Sequence, residues 1–244
     1  MILAAGRGER MRPLSNETPK PLLRVGGKPL IVWQIEALAR AGFRDIVINA
    51  AHLAEKLVAY LGDGRAFGVR IAWSLEAEPL EVAGGIATAL PLLPRGVALV
   101  VSGDVWHRFD YAALRARAAG MLDADHAARV HLVMVPNPDY HPSGDFALAD
   151  GRIVLRPGPR VTYGNIGLYD TALFSELPRA TRIKITPLYH EWIGRGWVSG
   201  ELYAGPWANI GTPDQLARLD AELTANRDNT ASQKHAERLD ESSA

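Results

Sequence analysis
Short apolar runs alternate with stretches of helical spacing through the first half of this chain. Met1–Ala5, Asp45–Asn49, Val69–Ser74 and Val97–Val101 are compact and rich in Val, Ile and Leu, the pattern of buried strands. Between them, Ile31, Ile35 and Leu38 recur at helical spacing with Gly42 placed as the residue after the helix end. Leu53, Leu57 and Leu61 mark a second helix stopped by Gly62, and Ile86, Leu90 and Leu93 a third. This βαβαβα order predicts an α/β, doubly wound fold. Its sheet is mainly parallel with helices on both faces, and ligands belong at the carboxyl ends of the strands.

The second half changes pattern. Arg129–Pro136 and Val161–Tyr169 read as strands, and Asp145–Leu148 and Ile153–Leu155 flank the hairpin dipeptide Asp150-Gly151. These strands are expected to form a small antiparallel lid over the mouth of the sheet. Thr186-Pro187 and Thr212-Pro213 each read as an N-cap followed by proline, and Thr212 with Gln215 makes a capping box for a helix running to about Ala225. Residues 1–226 are expected to be one domain and 227–244 a disordered polar tail. No internal repeat is present, and in particular no hexapeptide period of a C-terminal β-helix.

Composition narrows the function. The 27 acidic and 27 basic residues cancel, which argues against nucleic acid or an anionic membrane as the main partner. The absence of cysteine removes disulfide and thiolate–metal chemistry. No apolar run reaches membrane-spanning length, so a cytoplasmic protein is expected.

The chemistry concentrates at the start. Met1–Ala5 breaks into Gly6-Arg7-Gly8-Glu9-Arg10, where glycines let backbone N–H groups face a ligand. Arg10 and Lys20 add two fixed charges, on a segment stiffened by Pro13, Pro19 and Pro21. Backbone donors with Arg and Lys suit a polyphosphate. The spacing fits neither a P-loop nor a dinucleotide-binding fingerprint. Further on, Asp104 closes the Val97–Val101 strand within Ser102-Gly103-Asp104, either as a turn cap or as a metal ligand. One carboxylate suffices for Mg²⁺ when phosphates complete its shell. Gly84 and Gly85 read either as a helix start or as a backbone platform for a planar base.

Residues 1–21, MILAAGRGERMRPLSNETPKP, resemble the signature L-A-A-G-x-G-x-R-[ML]-x-P-x-[TS]-x-x-x-P-K-P of the sugar-1-phosphate nucleotidyltransferases, and the likeness extends to about residue 222. The resemblance implies that Ala4, Ala5, Gly6, Gly8 and Glu9 wrap a nucleoside triphosphate, that Arg10 grips its outer phosphates, and that Lys20 serves the reacting ones. It implies that Ser102 and Gly84 touch the nucleotide, with Val82 standing where the family has Thr. It implies Mg²⁺ on Asp104 and on the residue of the W-x-D-x-G-T motif, which here is Asn209 in Trp207–Thr212. Asn brings a carbonyl oxygen without charge, so either the metal is held more weakly or turnover is lost. The resemblance places the sugar near Gly144, Asp145 and Asn165, with Lys184 either on its phosphate or as a solvated surface residue. Family members carry a few more residues before the first strand, so the start is expected upstream of Met1. Glu76–Ile86, Ser102–Trp106 and Gly144–Phe146 are most similar to members that join UTP to N-acetylmuramate 1-phosphate in cell-wall sugar recycling. Mannose-1-phosphate guanylyl transfer is the alternative, and an inactive nucleotide-sugar binder a third.

Overall fold
Alternate side chains of each buried strand enter two different cores, which is why the apolar runs are continuous rather than alternating. The computed structural model describes residues 1–121, 128–156 and 158–225. In chain order its first part runs β1 (Ile2–Leu3), the short ladder β2 (Arg24–Val25) and β3 (Lys28–Pro29), α1 (Leu30–Arg40), β4 (Asp45–Ala50) and α2 (Ala54–Leu61). Then follow β5 (Arg70–Leu75), α3 (Glu81–Ala89), β6 (Val97–Ser102), β7 (Val105–His107), α4 (Tyr111–Gly120) and β8 (Val130–Val135). The remainder is β9 (Ala147–Ala149), β10 (Arg152–Val154), β11 (Thr162–Asp170), α5 (Thr186–Gly194), β12 (Val198–Leu202), β13 (Trp207–Asn209) and a last helix, α6, over 213–225. The polar stretch from 227 onward lies outside the described residues.

Among the described residues nine strands form one sheet in the order β5-β4-β1-β6-β11-β8-β12-β10-β9. β5, β4, β1 and β6 are parallel neighbours, β11 runs antiparallel between β6 and β8, and β12 is parallel to β8. The antiparallel strands expected as a lid instead continue the same sheet beyond β6 and do not form a layer of their own. The hairpin β9–β10 sits at the far edge, turned by Asp150 (φ 49°) and Gly151 (φ 73°), the two positive-φ positions of a type I′ turn.

Ile46 and Ile48 of β4, Leu99 and Val101 of β6 and Val133 of β8 pack under α1, α2 and α4. Val47, Val100, Leu132 and Met134 face the other way, onto α3 and α5. A third cluster joins Met11, Leu30, Trp106 and Ile210 to Leu219 and Leu223 of α6. This last helix starts from the expected capping box. Gln215 N–H donates to Thr212 Oγ1 (3.3 Å), while Gln215 Oε1 accepts from the N–H groups of Gly211 (2.6 Å) and Thr212 (3.1 Å). Two boundaries differ from expectation. α3 ends at Ala89 in a 3-10 turn over Leu90–Leu92, where Pro91 has no N–H to continue the ladder. Thr186 is already the first residue of α5 and is not its cap. No helix of the described residues is long and apolar enough to cross a membrane.

The glycine pair of α3 is explained by packing. The N–H groups of Ala83 and Gly84 both donate to Ile183 O (3.1 and 3.2 Å), and Ile183 N–H donates to Leu80 O (3.0 Å). A Cβ on Gly84 would stand 2.1 Å from Thr181 O, and one on Gly85 2.8 Å from Asn49 Nδ2. Gly84→Ala gains about 1 kcal/mol in helix propensity but overpacks a backbone contact worth about 1–3 kcal/mol, so thermal unfolding should show a lowered Tm. Gly6→Ala, where a Cβ meets nothing within 4 Å, should leave Tm unchanged. Equal Tm values for the two variants would refute this account of α3.

Candidate active site
The strand order reverses direction between β1 and β6, and there the crevice outside their carboxyl ends opens. β1 runs into the loop Ala4–Arg10 and β6 into Ser102-Gly103-Asp104, with Gly103 N–H donating to Leu3 O (2.8 Å). The first loop is anchored from below: Ala4 N–H donates to the buried Asn49 Oδ1 (2.9 Å). Asn49 Nδ2 in turn donates to Glu76 Oε1 (2.7 Å), and Glu76 Oε2 accepts from Leu80 N–H (3.1 Å) at the start of α3. Burial pushes the Glu76 carboxyl above its ordinary range, against the opposing pull of those two hydrogen bonds.

Gly8 adopts φ 62°, and a Cβ there would lie 3.1 Å from Lys20 Cβ. Its carbonyl accepts from Met11 N–H (2.8 Å) and Ser15 Oγ–H (2.7 Å), so loop and Lys20 segment pack as one unit. Met11 is fully buried and fixes the turn, which leaves Arg10 exposed at the cleft beside Gly211. Lys20 forms an ion pair with Asp104, with side chains 12% and 30% exposed. This pair links the β1 loop to the β6 end.

A short antiparallel ladder between β7 and β13 sets Asn209 opposite Val105, and Ile210 N–H donates to Asp104 O (3.1 Å). Asn209 thus arrives beside Asp104 from a position more than a hundred residues away in the chain. Its Oδ1 is buried and has no hydrogen-bond partner. An orphaned carbonyl oxygen beside a partly exposed carboxylate is a hard-oxygen donor set, which fits Mg²⁺ completed by phosphate oxygens. Among the described residues no cluster of three or more His, Asp or Glu offers another metal site.

Two cavities share Leu3, Arg10, Val82 and Ser102. The larger, about 760 Å³, is lined by the loop Ala4–Arg10, Lys20, Asp104, Glu78–Pro79 and Glu81–Val82. The smaller, about 460 Å³, is lined by Tyr140, Asp145, Asn165, Thr186, Asn209 and a group of tyrosines. Asp145 Oδ2 accepts from Tyr163 N–H (2.8 Å), which orients its carboxylate. Asn165 takes φ 57° where the β11–β8 register shifts, an irregularity that places it at the wall of the cavity. The hydroxyls of Tyr163, Tyr169 and Tyr189 hydrogen-bond in a chain (2.8 and 2.5 Å), and burial pushes all three well above the ordinary tyrosine range.

Most residues singled out from the sequence converge on these cavities; three do not. Gly84 lines neither, and its N–H is committed to Ile183 O. Gly144 is a turn residue (φ 59°) whose Cβ would meet Asn137 Oδ1 at 2.7 Å, so it positions Asp145 without lining the cavity itself. Lys184 is exposed and lines neither cavity. Asn49, Tyr140 and the tyrosine chain were missed. Asn49 was signalled only by a polar residue inside an otherwise apolar strand, and Tyr140, 53% exposed, by nothing beyond a Pro-rich loop.

Residues 1–144 match the model of the nucleotidyl transferase family. The chain is 44% identical over 225 residues to the N-acetylmuramate alpha-1-phosphate uridylyltransferase of Neisseria meningitidis, covering 91% of this chain and 96% of that protein. It is 33% identical over 234 residues to the enzyme of the same name from Caulobacter vibrioides, with the same coverage of 91% and 96%. Among solved structures, a Bacillus anthracis protein described as a glucose-1-phosphate thymidylyltransferase superposes with a TM-score of 0.81 at 23% identity, covering 91% of this chain and 94% of that one. The chain therefore belongs to the nucleotidyl transferase family.

Proposed function
We propose that the protein transfers the uridylyl group of UTP to N-acetylmuramate 1-phosphate in the cytoplasm, releasing pyrophosphate and returning a cell-wall sugar to use. The observation that carries this reading is the meeting of Arg10, Lys20, Asp104 and the unpartnered Asn209 where the two cavities join. The larger cavity takes the nucleotide and the smaller the sugar phosphate, so an acceptor phosphate oxygen faces the α-phosphorus across the shared wall. The identities of 44% and 33% to uridylyltransferases support the choice of base and sugar.

Catalysis in this reading is positioning and charge compensation, as in other phosphoryl-type transfers. The backbone N–H groups of the Gly6–Glu9 loop and the Arg10 guanidinium hold the departing pyrophosphate. Lys20, held in place by Asp104, delivers its ammonium to the α-phosphate as charge builds there. Asp104 and Asn209 would hold Mg²⁺, whose charge would offset that of the phosphates. Ser102 sits at the junction, within reach of either substrate. With the N–H groups of Gly84, Ala4 and Leu80 engaged elsewhere, recognition of the base falls to the backbone of Ala5, Glu78, Glu81 and Val82.

Pyrophosphate release with each of four nucleoside triphosphates and a panel of sugar 1-phosphates tests the assignment. UTP with N-acetylmuramate 1-phosphate should give the highest kcat/KM; a preference for GTP with mannose 1-phosphate would replace this reading, and no turnover with any pair would leave only binding. Arg10→Ala and Lys20→Ala should each lower kcat by about 30- to 1000-fold, the loss of about 2–4 kcal/mol of transition-state stabilisation. Arg10 is exposed at the cleft, so Arg10→Ala should barely move Tm, whereas Lys20→Ala also removes the ion pair to Asp104 and should lower it modestly while the fold is kept. Near-normal turnover in Lys20→Ala would refute the mechanism.

Asn209 gives a separate test. With one protein charge in place of two, Mg²⁺ binding should be modest and strongly dependent on bound nucleotide. Titration calorimetry should show tighter Mg²⁺ binding in Asn209→Asp, whereas Asp104→Asn should remove nearly all turnover. Unchanged Mg²⁺ affinity in Asn209→Asp would show that residue 209 is not a ligand.

A further inference from the structure
A smaller pocket of about 80 Å³ shares Asp145 and Phe146 with the 460 Å³ cavity and is flanked by Arg156, Arg160 and His190. The main chain builds it. Val154 pairs with Ala147 in the β9–β10 hairpin, and Val161 forms a bridge with Phe146. The chain therefore leaves one side of the 145–147 segment and returns on its other side. Arg156 and Arg160, near the two ends of that excursion, are set against the same pocket. Arg160 is pinned: its carbonyl accepts from Asn137 Nδ2 (2.9 Å), and Asn137 Oδ1 accepts from Thr162 Oγ1–H (2.9 Å). His190 comes from α5 and packs edge-on against Phe146, with ring centroids 6.3 Å apart.

The charge is unbalanced. Among the described residues neither the Arg156 nor the Arg160 guanidinium forms an ion pair. Asp145, the one carboxylate of the lining, is taken up by the Tyr163 N–H and by His141 Nε2 (2.8 and 3.1 Å). Two guanidiniums and an imidazole around one small hollow make a receptor for an anion, and Arg is suited to bidentate contact with a carboxylate. The reacting phosphate does not compete for it, since that group must lie at Arg10 and Asn209 where the cavities join. At about 80 Å³ the pocket is too small for a sugar ring and of a size for a short acid branch.

We propose that this side pocket binds a carboxylate carried by the acceptor sugar and so selects acidic over neutral sugar 1-phosphates. The inference rests on the uridylyl-transfer reading and adds to it a location for selectivity. N-acetylmuramate differs from N-acetylglucosamine by a three-carbon acid joined as an ether, which matches the pocket in charge and size.

The test compares the wild type with the double variant Arg156→Ala/Arg160→Ala. With saturating UTP, the ratio of kcat/KM for N-acetylmuramate 1-phosphate to that for N-acetylglucosamine 1-phosphate should fall roughly 10- to 100-fold, through KM for the acid. Arg160→Lys, which keeps a cation without the fork, should recover part of the ratio. An unchanged ratio, or equal losses on both acceptors, would overturn the proposal. Calorimetry with the two unphosphorylated sugars supplies the arm that does not need turnover. Tighter binding of N-acetylmuramate by the wild type, lost in the double variant, supports the pocket even if no nucleotide is transferred. Equal binding of both sugars by the wild type overturns the pocket even if transfer occurs.

Discussion
The carboxamide of Asn49 holds the site together. From the carboxyl end of β4 it accepts from Ala4 N–H at the root of the glycine-rich loop and donates to the buried Glu76 carboxyl group. Glu76 passes the connection to Leu80 N–H, where α3 begins. Three segments around the larger cavity are thus tied by one buried polar group. Each atom of this network is satisfied by another, so loss of one member would strand the rest in a dry environment. This arrangement explains how a loop with two glycines holds a defined shape.

Above this anchor, the chemistry depends on the sheet's change of winding direction. The connections leaving β1 and entering β6 cross opposite faces of the sheet, through α1 and α3, and the crevice opens between those two strands. The Gly6–Arg10 loop enters the gap from β1 and Asp104 from β6, and the Lys20–Asp104 pair closes the distance between them. The β7–β13 ladder then brings in Asn209. Polar groups from distant parts of the chain meet because the β7–β13 backbone ladder and the Lys20–Asp104 ion pair together set their spacing.

Much of this was legible in the sequence. The Val- and Ile-rich runs and the helical spacing of Ile31, Ile35 and Leu38 were enough to order the parallel half, because burial on both faces leaves an uninterrupted apolar signal. The loop residues and Lys20 stand in one motif of fixed spacing, and Ser102, Asp104 and Asn209 in two further short motifs; the structure brings them to one cleft. The antiparallel half was harder to place. Nothing local in Thr162–Asp170 states that β11 inserts between β6 and β8, since that pairing is decided by long-range hydrogen bonds. Gly84 is ambiguous in sequence for a related reason: a glycine required for close helix packing looks like one required for contact with a ligand, and the structure shows the packing. Lys184 carried no signal beyond its charge. The tyrosine chain joins β11 to α5, a relation that appears only once both elements are in place.

The central claim is that one cleft holds two substrates in separate lobes that meet at Arg10, Ser102 and Asn209. Amide chemical-shift mapping by NMR, with UTP and the acceptor added singly, tests this most directly. UTP should move the resonances of Gly6, Gly8, Glu9 and Val82, and N-acetylmuramate 1-phosphate those of Asp145, Tyr163, Asn165 and Thr186. Both should move those of Arg10, Ser102 and Asn209. Shifts from UTP centred on Asp145 and Asn165, or acceptor shifts that never reach Arg10, would contradict it.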